Sequence, residues 1–145
     1  MNNLLPIHFA PLQGYTDAAY RQAHARIFGG IDTYYSPFVR VEHGEIRRKD
    51  ARDIHPENNR NIHLIPQLIA SCPNKLEQIM SLLTEHNYQE ADINLGCPFP
   101  MLAKRHNGAG MLPYPEEVKD LLTAAIEQYP QIRFSVKLRL GWENA

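Results

Sequence analysis

The sequence predicts an α/β fold built on a parallel sheet. Short apolar runs alternate along the chain with segments in which apolar residues recur every three or four positions, the pattern of strands that alternate with amphipathic helices. The connections between these segments are short, which favours parallel strands with the helices packed outside them. Because such crossovers are right-handed, the strands form either a doubly wound sheet or a barrel.

Five strands are predicted from runs rich in apolar, aromatic and β-branched residues. In chain order they cover residues 7–12, 33–38, 62–70, 91–95 and 134–140. A complete eight-stranded α/β barrel usually takes about 250 residues. We therefore expect residues 1–145 to be the N-terminal part of a larger catalytic domain, with roughly the first five strands and their intervening helices.

Three helices are predicted between these strands. The first follows Thr16 as its N-cap and ends at the glycine pair of residues 29–30. The second starts at a capping box of the Asn-x-x-Glu form that begins at Asn74. The third opens at Pro115, a residue type favoured in the first turn of a helix. Residues 41–61 show no regular pattern and are expected to be irregular.

The composition is that of an ordinary soluble globular protein, and it argues against several other classes of protein. The formal net charge of −1 gives no general attraction to nucleic acid, so any contact with phosphate must be local. No apolar run approaches the roughly 18 residues that cross a bilayer, and the first residues lack the pattern of a secretory signal. Cys72 and Cys97 form no disulfide framework, and the histidines lack metal-ligand spacing. We expect a cytoplasmic protein without a membrane partner or a metal.

The segment Asp-Ile-Asn-Leu-Gly-Cys-Pro at residues 92–98 is the most informative for function. It reads as a buried strand that breaks at Gly96 and presents Cys97 on a turn. Pro98 lacks an N–H and stiffens that turn. A free cysteine alone is as often a small buried hydrophobe, so the segment by itself leaves packing and chemistry equally open.

Polar side chains on three neighbouring strands predict a site. Because side chains alternate along a strand, Gln67, Asn94 and Lys137 lie opposite the apolar faces. If the apolar faces pack on the helices, these three side chains point inward near the carboxyl ends of the strands, where α/β folds bind ligands. Each residue has an ordinary structural explanation, as a satisfied buried amide or a solvated lysine. The prediction of a site rests on the presence of all three polar side chains on neighbouring strands.

Four blocks of the chain carry a specific combination of motifs. They are residues 10–17 (Ala-Pro-Leu-Gln-Gly-Tyr-Thr-Asp), residues 66–68 (Pro-Gln-Leu), residues 92–98 with the downstream Gly-Ala-Gly-Met-Leu at 108–112, and residues 135–142 (Ser-Val-Lys-Leu-Arg-Leu-Gly-Trp). Together they resemble the tRNA-dihydrouridine synthase family, flavoproteins that reduce uridine in tRNA. The resemblance implies a (β/α)₈ TIM barrel, with the later barrel strands and a helical tRNA-binding domain absent from this chain.

The resemblance also implies a cofactor site. Pro11, Leu12 and Gln13 would line FMN from the first strand, and Gln67 would hydrogen-bond its ring. Lys137 would contact the flavin where a cation stabilises the reduced anionic ring. NADPH or NADH would serve as the reductant.

By the same resemblance, Cys97 would be the catalytic acid, and Asn94 and Arg139 would bind the substrate. Reduction of the uracil 5,6 double bond needs a hydride at C6 and a proton at C5 from the opposite face. A cysteine thiol in water carries its proton at neutral pH, and the target base must leave its stack to reach the site. The complete protein is expected to act on tRNA as a monomer.

Contacts with tRNA phosphates are predicted for several basic residues. The candidates are Arg40, Arg47, Arg48, Arg52, Lys104 and Arg105. The segment after Cys97 departs from the family, which usually has lysines there. This sequence has Phe99, Pro100 and Met101 instead, which puts the substrate contacts of this loop in question.

Two alternative functions remain open. One is another FMN-barrel reductase that acts on a free pyrimidine, as dihydroorotate dehydrogenases do. The other is a non-catalytic RNA-binding remnant. The motifs at residues 10–14 and 96–110 argue against the free-pyrimidine enzyme, and assays with bulk tRNA and with free pyrimidines separate it from a tRNA-dihydrouridine synthase. The RNA-binding remnant predicts no uridine reduction even when the later strands are supplied.

The 145-residue chain alone is expected to retain FMN only weakly. The resemblance implies that the segments that hold the flavin phosphate follow residue 145. Flavin absorbance of the purified chain measures this directly, and a stoichiometric amount of bound flavin would contradict the expectation.

Overall fold

The computed structural model describes residues 5–142, which form an α/β structure with five helices and eight short strands. The elements in chain order are β1 (His8–Phe9), α1 (Ala18–Ile27), β2 (Thr33–Tyr35), β3 (Val41–Glu42), β4 (Glu45–Ile46), α2 (Arg48–Asp53), β5 (Leu64–Ile65), β6 (Gln67–Leu68), α3 (Pro73–Glu85), β7 (Glu90–Leu95), α4 (Pro100–Ala103), α5 (Pro115–Gln128) and β8 (Arg133–Leu138). Single 3₁₀ turns lie at Pro56–Asn59 and Gly108–Met111.

The strands that build the sheet follow one another in chain order. Strands β1, β2 and β5 pair in parallel, and so do β6, β7 and β8. Pro66 separates β5 from β6 because proline has no N–H for the ladder, so these two strands are halves of one strand position. Sequential order is that of a singly wound sheet, whereas a doubly wound sheet reverses at a switch point. Within residues 5–142 the sheet does not close on itself.

The hydrophobic core lies between this sheet and helices α3 and α5. Strand β7 contributes Ile93 and Leu95 to it, both almost completely buried. Helix α3 contributes the apolar face that its sequence predicts, namely Leu76, Ile79, Met80 and Leu83. Burial of one such side chain contributes about 1.5–3 kcal/mol, so this layer fixes the sheet against the helices. No helix in the described part of the chain is long and apolar enough to span a membrane.

The first helix has a different cap from the predicted one. Asp17 is the N-cap of α1, and its carboxylate accepts a hydrogen bond from the N–H of Tyr20 at 3.1 Å. The hydroxyl of Thr16 instead accepts from the N–H of Leu12 at 2.9 Å, within the preceding loop. The prediction of Thr16 as the cap was wrong because the loop already uses that hydroxyl.

The predicted capping box at the second helix was also wrong. Helix α3 begins at Pro73 with Cys72 at the N-cap position and no side-chain cap. Asn74 lies inside the first turn, where its side-chain oxygen accepts from the amide of Gln78 at 2.9 Å. Proline in the first turn lacks one of the N–H groups that a cap would otherwise satisfy.

Residues 41–61 are regular rather than irregular. Strands β3 and β4 form a hairpin, and His43 and Gly44 at its turn both have positive φ, 53° and 83°. Two successive positive φ angles are typical of the type I′ hairpin turn. Helix α2 and a 3₁₀ turn follow, so this span packs as an ordered unit beside the sheet.

Arg21 anchors that unit to the first helix. Its side chain is completely buried, and its guanidinium donates to the backbone oxygens of Thr16 and Asp53, at 2.7 and 2.9 Å. It also donates to the Asp53 carboxylate at 3.1 Å and to the side-chain oxygen of Asn59 at 2.8 Å. A buried guanidinium is tolerated only with such complete pairing.

Asp50, in the first turn of α2, is a buried acid with little compensation. The residue is 7% exposed, and its Oδ2 lies 3.7 Å from the Nε of Arg40 without a hydrogen bond. Burial raises the pKa of the Asp50 carboxyl from 3.8 to about 6, against the opposing effect of Arg47. The folded state therefore binds this proton more tightly than the unfolded state. Its contribution to stability is complete below about pH 4 and is lost as the pH rises through 6.

Replacing Asp50→Asn should stabilise the protein at neutral pH by on the order of 2 kcal/mol, because the amide carries no charge to bury. At about pH 4 the gain should vanish. Urea denaturation at the two pH values measures this difference. Asp120→Asn, the same change at an exposed position of α5, is the control. An equal gain for Asp50→Asn at both pH values would contradict the assignment.

Candidate active site

The inner face of the sheet carries a row of polar side chains. In the register of the strands, Gln67 pairs with Asp92, and Asn94 pairs with Lys137. Gln67, Asp92 and Asn94 are 1%, 3% and 6% exposed. The alternating apolar residues of β7 enter the core on the opposite face. Because water does not reach these three groups, their hydrogen bonds must come from the protein.

Those hydrogen bonds form a continuous chain across three strands. The hydroxyl of Ser135 donates to Oδ1 of Asp92 at 2.7 Å, and Nε2 of Gln67 donates to Oδ2 of Asp92 at 2.7 Å. Nδ2 of Asn94 then donates to Oε1 of Gln67 at 2.8 Å. The side chains from β8, β7 and β6 are therefore fixed relative to one another.

This series of hydrogen bonds ends at the turn that carries Cys97. Oδ1 of Asn94 accepts from the backbone N–H groups of Gly96 and Cys97, at 3.1 and 2.9 Å. On the other side of the turn, the carbonyl of Cys97 accepts from the N–H of Ala109 at 3.0 Å. Cys97 is a free cysteine of intermediate exposure. The turn thus presents a partly accessible thiol on a backbone held from two sides.

The glycine segment at residues 108–110 supports this turn by close packing. A Cβ on Gly108 would lie 2.7 Å from the carbonyl oxygen of Cys97, and Gly108 has a φ of +59°. A Cβ on Gly110 would lie 2.2 Å from the carbonyl oxygen of Ala103 in α4. Real side chains do not tolerate such distances, so both positions require glycine.

A cavity of about 240 Å³ lies where the first and last strands of the sheet face each other. Its lining consists of His8, Ala10, Pro11, Tyr35, Asp92, Ser135, Val136 and Lys137. The hydroxyl of Tyr35 lies 3.2 Å from Nδ1 of His8. Burial, followed by the nearby charge of Asp92, raises the pKa of Tyr35, so its hydroxyl stays protonated at neutral pH. Pro11 and Lys137, far apart in sequence, meet in this cavity.

The structure gathers some of the predicted site residues and separates others. Gln67, Asn94 and Cys97 belong to one hydrogen-bonded unit, whereas Pro11 and Lys137 share the cavity. The remaining predicted residues are exposed and do not line the cavity. They are Leu12, Gln13 and Arg139. Oε1 of Gln13 accepts from the N–H of Phe38 at 3.1 Å, so that side chain ties the first loop to the segment that follows β2.

The basic residues also divide into two groups. The guanidinium groups of Arg40 and Arg47 both lie near the carboxylate of Glu42, at 3.0 and 3.4 Å. The other four candidates are exposed, namely Arg48, Arg52, Lys104 and Arg105. Arg40 and Arg47 are therefore less available to a phosphate than these four. Among residues 5–142, no cluster of three His, Cys, Asp or Glu side chains is arranged to hold a metal ion.

Comparison with known sequences identifies the family. The family described as dihydrouridine synthase (Dus) matches residues 8–145, nearly the whole chain. The chain belongs to the dihydrouridine synthase family. The match includes the strand that precedes the Cys97 turn, the glycine segment that supports this turn and the strand that carries Lys137.

Individual members of the family are similar over almost all of this chain. A protein named tRNA-dihydrouridine synthase B from Klebsiella pneumoniae is 27% identical over 134 residues, which cover 92% of this chain and 41% of that protein. A tRNA-dihydrouridine(16) synthase from Neisseria meningitidis serogroup A is 30% identical over 145 residues, 95% of this chain and 43% of that protein. The chain therefore spans about two fifths of the length of these relatives.

Sequence reasoning missed several inward-facing residues of this dihydrouridine synthase family member. Asp92 and Ser135 lie on the same strand faces as Asn94 and Lys137, so the alternation that selected the second pair also points to the first. His8 and Tyr35 reach the cavity from β1 and β2 by the same alternation. The missing information was the register between strands, which brings Ser135 directly beside Asp92.

Gly108→Ala should destabilise the protein and displace the Cys97 turn. The added Cβ would clash with the Cys97 carbonyl oxygen. Alanine would also be strained at the positive φ of this position, which alone costs roughly 1 kcal/mol. Gly30→Ala is a matched control, because Gly30 has a φ of +72° with no atom within 4 Å of the added Cβ. Denaturant unfolding measures stability, and the rate of Cys97 alkylation reports on the turn. Equal effects of the two substitutions would contradict a packing role for Gly108.

Proposed function

We propose that this protein reduces the 5,6 double bond of uridine in tRNA to dihydrouridine, with FMN as cofactor and NADPH or NADH as reductant. Family membership supports the reaction class. The observation that carries the proposal is the Cys97 turn, where a buried amide from the inner face of the sheet fixes the backbone that bears a partly accessible thiol. A site that must deliver one proton to one carbon needs such a fixed donor.

The fold proposed for this chain is the first part of a (β/α)₈ TIM barrel. The five parallel strand positions in chain order would correspond to the first five of the eight barrel strands. Residues 1–145 would be the N-terminal part of the flavin-binding catalytic domain, and the other barrel strands and a helical tRNA-binding domain would belong to the rest of the protein. The fraction of the relatives that the chain covers supports this division.

The side chains near the carboxyl ends of the strands suit a flavin. Pro11 supplies an apolar wall and Lys137 a cation, and Gln67 keeps one N–H and one oxygen lone pair beyond its bonds to Asp92 and Asn94. The cavity is smaller than the roughly 300–1,000 Å³ of complete ligand pockets, so it would take only part of the cofactor. Bound FMN would supply the hydride.

Leu12 and Gln13 would extend the cofactor wall from the loop that carries Pro11. Gln13 uses its side-chain oxygen on Phe38, so its amide N–H groups remain for a ligand. Leu12 is 57% exposed, which leaves its side chain accessible to a planar ring.

Asn94 would orient the target base as a hydrogen-bond donor. Both lone pairs of its Oδ1 are used by the turn, and one N–H of its Nδ2 by Gln67. Only one N–H is left for a substrate. Uracil presents a carbonyl oxygen at C4 where cytosine presents an amino group, so a donor at this position favours uracil. Arg139, exposed beyond the end of β8, would contact the substrate from the side.

Cys97 would donate the proton to C5 of the base. The S–H bond breaks, the new C–H bond forms, and the resulting thiolate recovers its proton from water before the next cycle. Exposed basic side chains, among them Arg48, Arg52 and Lys104, would contact the tRNA phosphates while the base is extruded into the site. The complete protein would act as a cytoplasmic monomer.

Cys97→Ala should lower dihydrouridine formation by about 10²–10⁴-fold, the usual range for loss of a general acid, and should leave flavin binding intact. Cys72→Ala is the control, because Cys72 is the other free cysteine and lies at the start of α3. The assay uses the complete protein that contains this chain, with unmodified bulk tRNA and with free pyrimidines. Undiminished turnover by Cys97→Ala would remove Cys97 from the mechanism, and reduction of free pyrimidines without tRNA reduction would overturn the substrate.

A further inference from the structure

The side chains linked by hydrogen bonds on the inner face of the sheet have a fixed order of donors and acceptors, which we call the direction of the hydrogen-bonded chain. A side-chain amide has a donor end and an acceptor end, and the two ends have nearly the same shape. A carboxylate accepts hydrogen bonds through both oxygens and donates none. Asp92 is the member of the chain that accepts at both ends, from Ser135 at 2.7 Å and from Gln67 at 2.7 Å.

The acceptor role of Asp92 determines the orientation of the two side-chain amides between it and the Cys97 turn. Because Asp92 accepts, Gln67 must turn its Nε2 toward it and its Oε1 toward Asn94. Asn94 must then turn its Nδ2 toward Gln67, at 2.8 Å. This leaves Oδ1 of Asn94 facing the N–H groups of Gly96 and Cys97.

The reversed direction is costly at every step. A reversed Gln67 would place its oxygen against the carboxylate of Asp92. A reversed Asn94 would place N–H donors against the backbone N–H groups of Gly96 and Cys97. Gln67, Asp92, Asn94 and Gly96 are buried, and a buried group without a partner costs about 1–3 kcal/mol.

We propose that Asp92 is a positioning residue that sets the direction of this chain and thereby holds the Cys97 turn. Asp92 acts through Gln67 and Asn94 and does not contact Cys97. The catalytic meaning of the turn rests on the proposed function, whereas the direction of the hydrogen bonds does not. Replacement of Asp92 by an amide of the same shape removes the constraint at this end of the hydrogen-bonded chain, because an amide can present either end to Gln67. Asn94 is then held only by the N–H groups of Gly96 and Cys97.

The experiment compares Asp92→Asn with the unmodified protein by residue-resolved amide hydrogen exchange. The N–H groups of Gly96 and Cys97 should exchange about tenfold faster in the variant, since the side chain of their acceptor Asn94 is no longer held in one orientation from the Gln67 side. The interior N–H groups of Ile93 and Leu95 should keep their rates. Uniformly faster exchange across β7 would indicate general destabilisation and would overturn the positioning role, as would unchanged exchange at Gly96 and Cys97.

Two further variants separate direction from the loss of one hydrogen bond. Ser135→Ala removes a donor but keeps the carboxylate, so exchange at Gly96 and Cys97 should accelerate less than in Asp92→Asn. An equal acceleration would overturn the proposal. Asp120→Asn makes the same chemical change at an exposed position of α5 and should leave both rates unchanged.

A measurement on the unmodified protein keeps the proposal testable if Asp92→Asn does not fold. Scalar couplings across hydrogen bonds should link the backbone nitrogens of Gly96 and Cys97 to the side-chain carbonyl carbon of Asn94. Their absence would overturn the assigned direction. None of these measurements needs flavin or tRNA, so a failure of the proposed reaction would be seen separately, as missing dihydrouridine formation by the unmodified complete protein.

Discussion

Buried polar groups on the inner face of a parallel sheet must be satisfied by the protein itself, and this requirement governs the structure around Cys97. Gln67, Asp92 and Asn94 are enclosed by strands and cannot rely on solvent. Each has found its partner on a neighbouring strand, so the register of β6, β7 and β8 and the positions of these side chains depend on each other. The same bonds that satisfy the sheet extend to the backbone of the turn. Stability and the geometry of the candidate site therefore share one set of interactions.

The cavity side of the sheet obeys a different constraint. Pro11 comes from the loop after β1 and Lys137 from β8, which are opposite edges of the described sheet. Their meeting depends on the curvature that brings the two edges face to face, not on hydrogen bonds between them. The cofactor half of the proposed site is thus more open than the half that holds Cys97, and it would gain its remaining walls from elsewhere in the protein.

The sequence predicts the local features of this fold well and the long-range ones poorly. The apolar face of α3, the strand that precedes Cys97 and the alternation along β8 follow from spacing alone. The cap at Asp17 could not be separated from Thr16, since the choice depends on a loop contact with Leu12. The hairpin at His43 and Gly44 was missed because its strands are only two residues long. Alternation identified Asn94, but the link from Asp92 required a register that no single segment encodes.

Gly108 shows how the shape of the Cys97 turn constrains a residue that lies far from it in sequence. It lies eleven positions after Cys97 in sequence, and a Cβ added to it would clash with the Cys97 carbonyl oxygen. A homologue that keeps the cysteine but replaces this glycine would have to carry the thiol on a differently shaped turn. During divergence within the family, the two positions should therefore change together or not at all. Members of the family that carry both residues should therefore share the geometry of this turn.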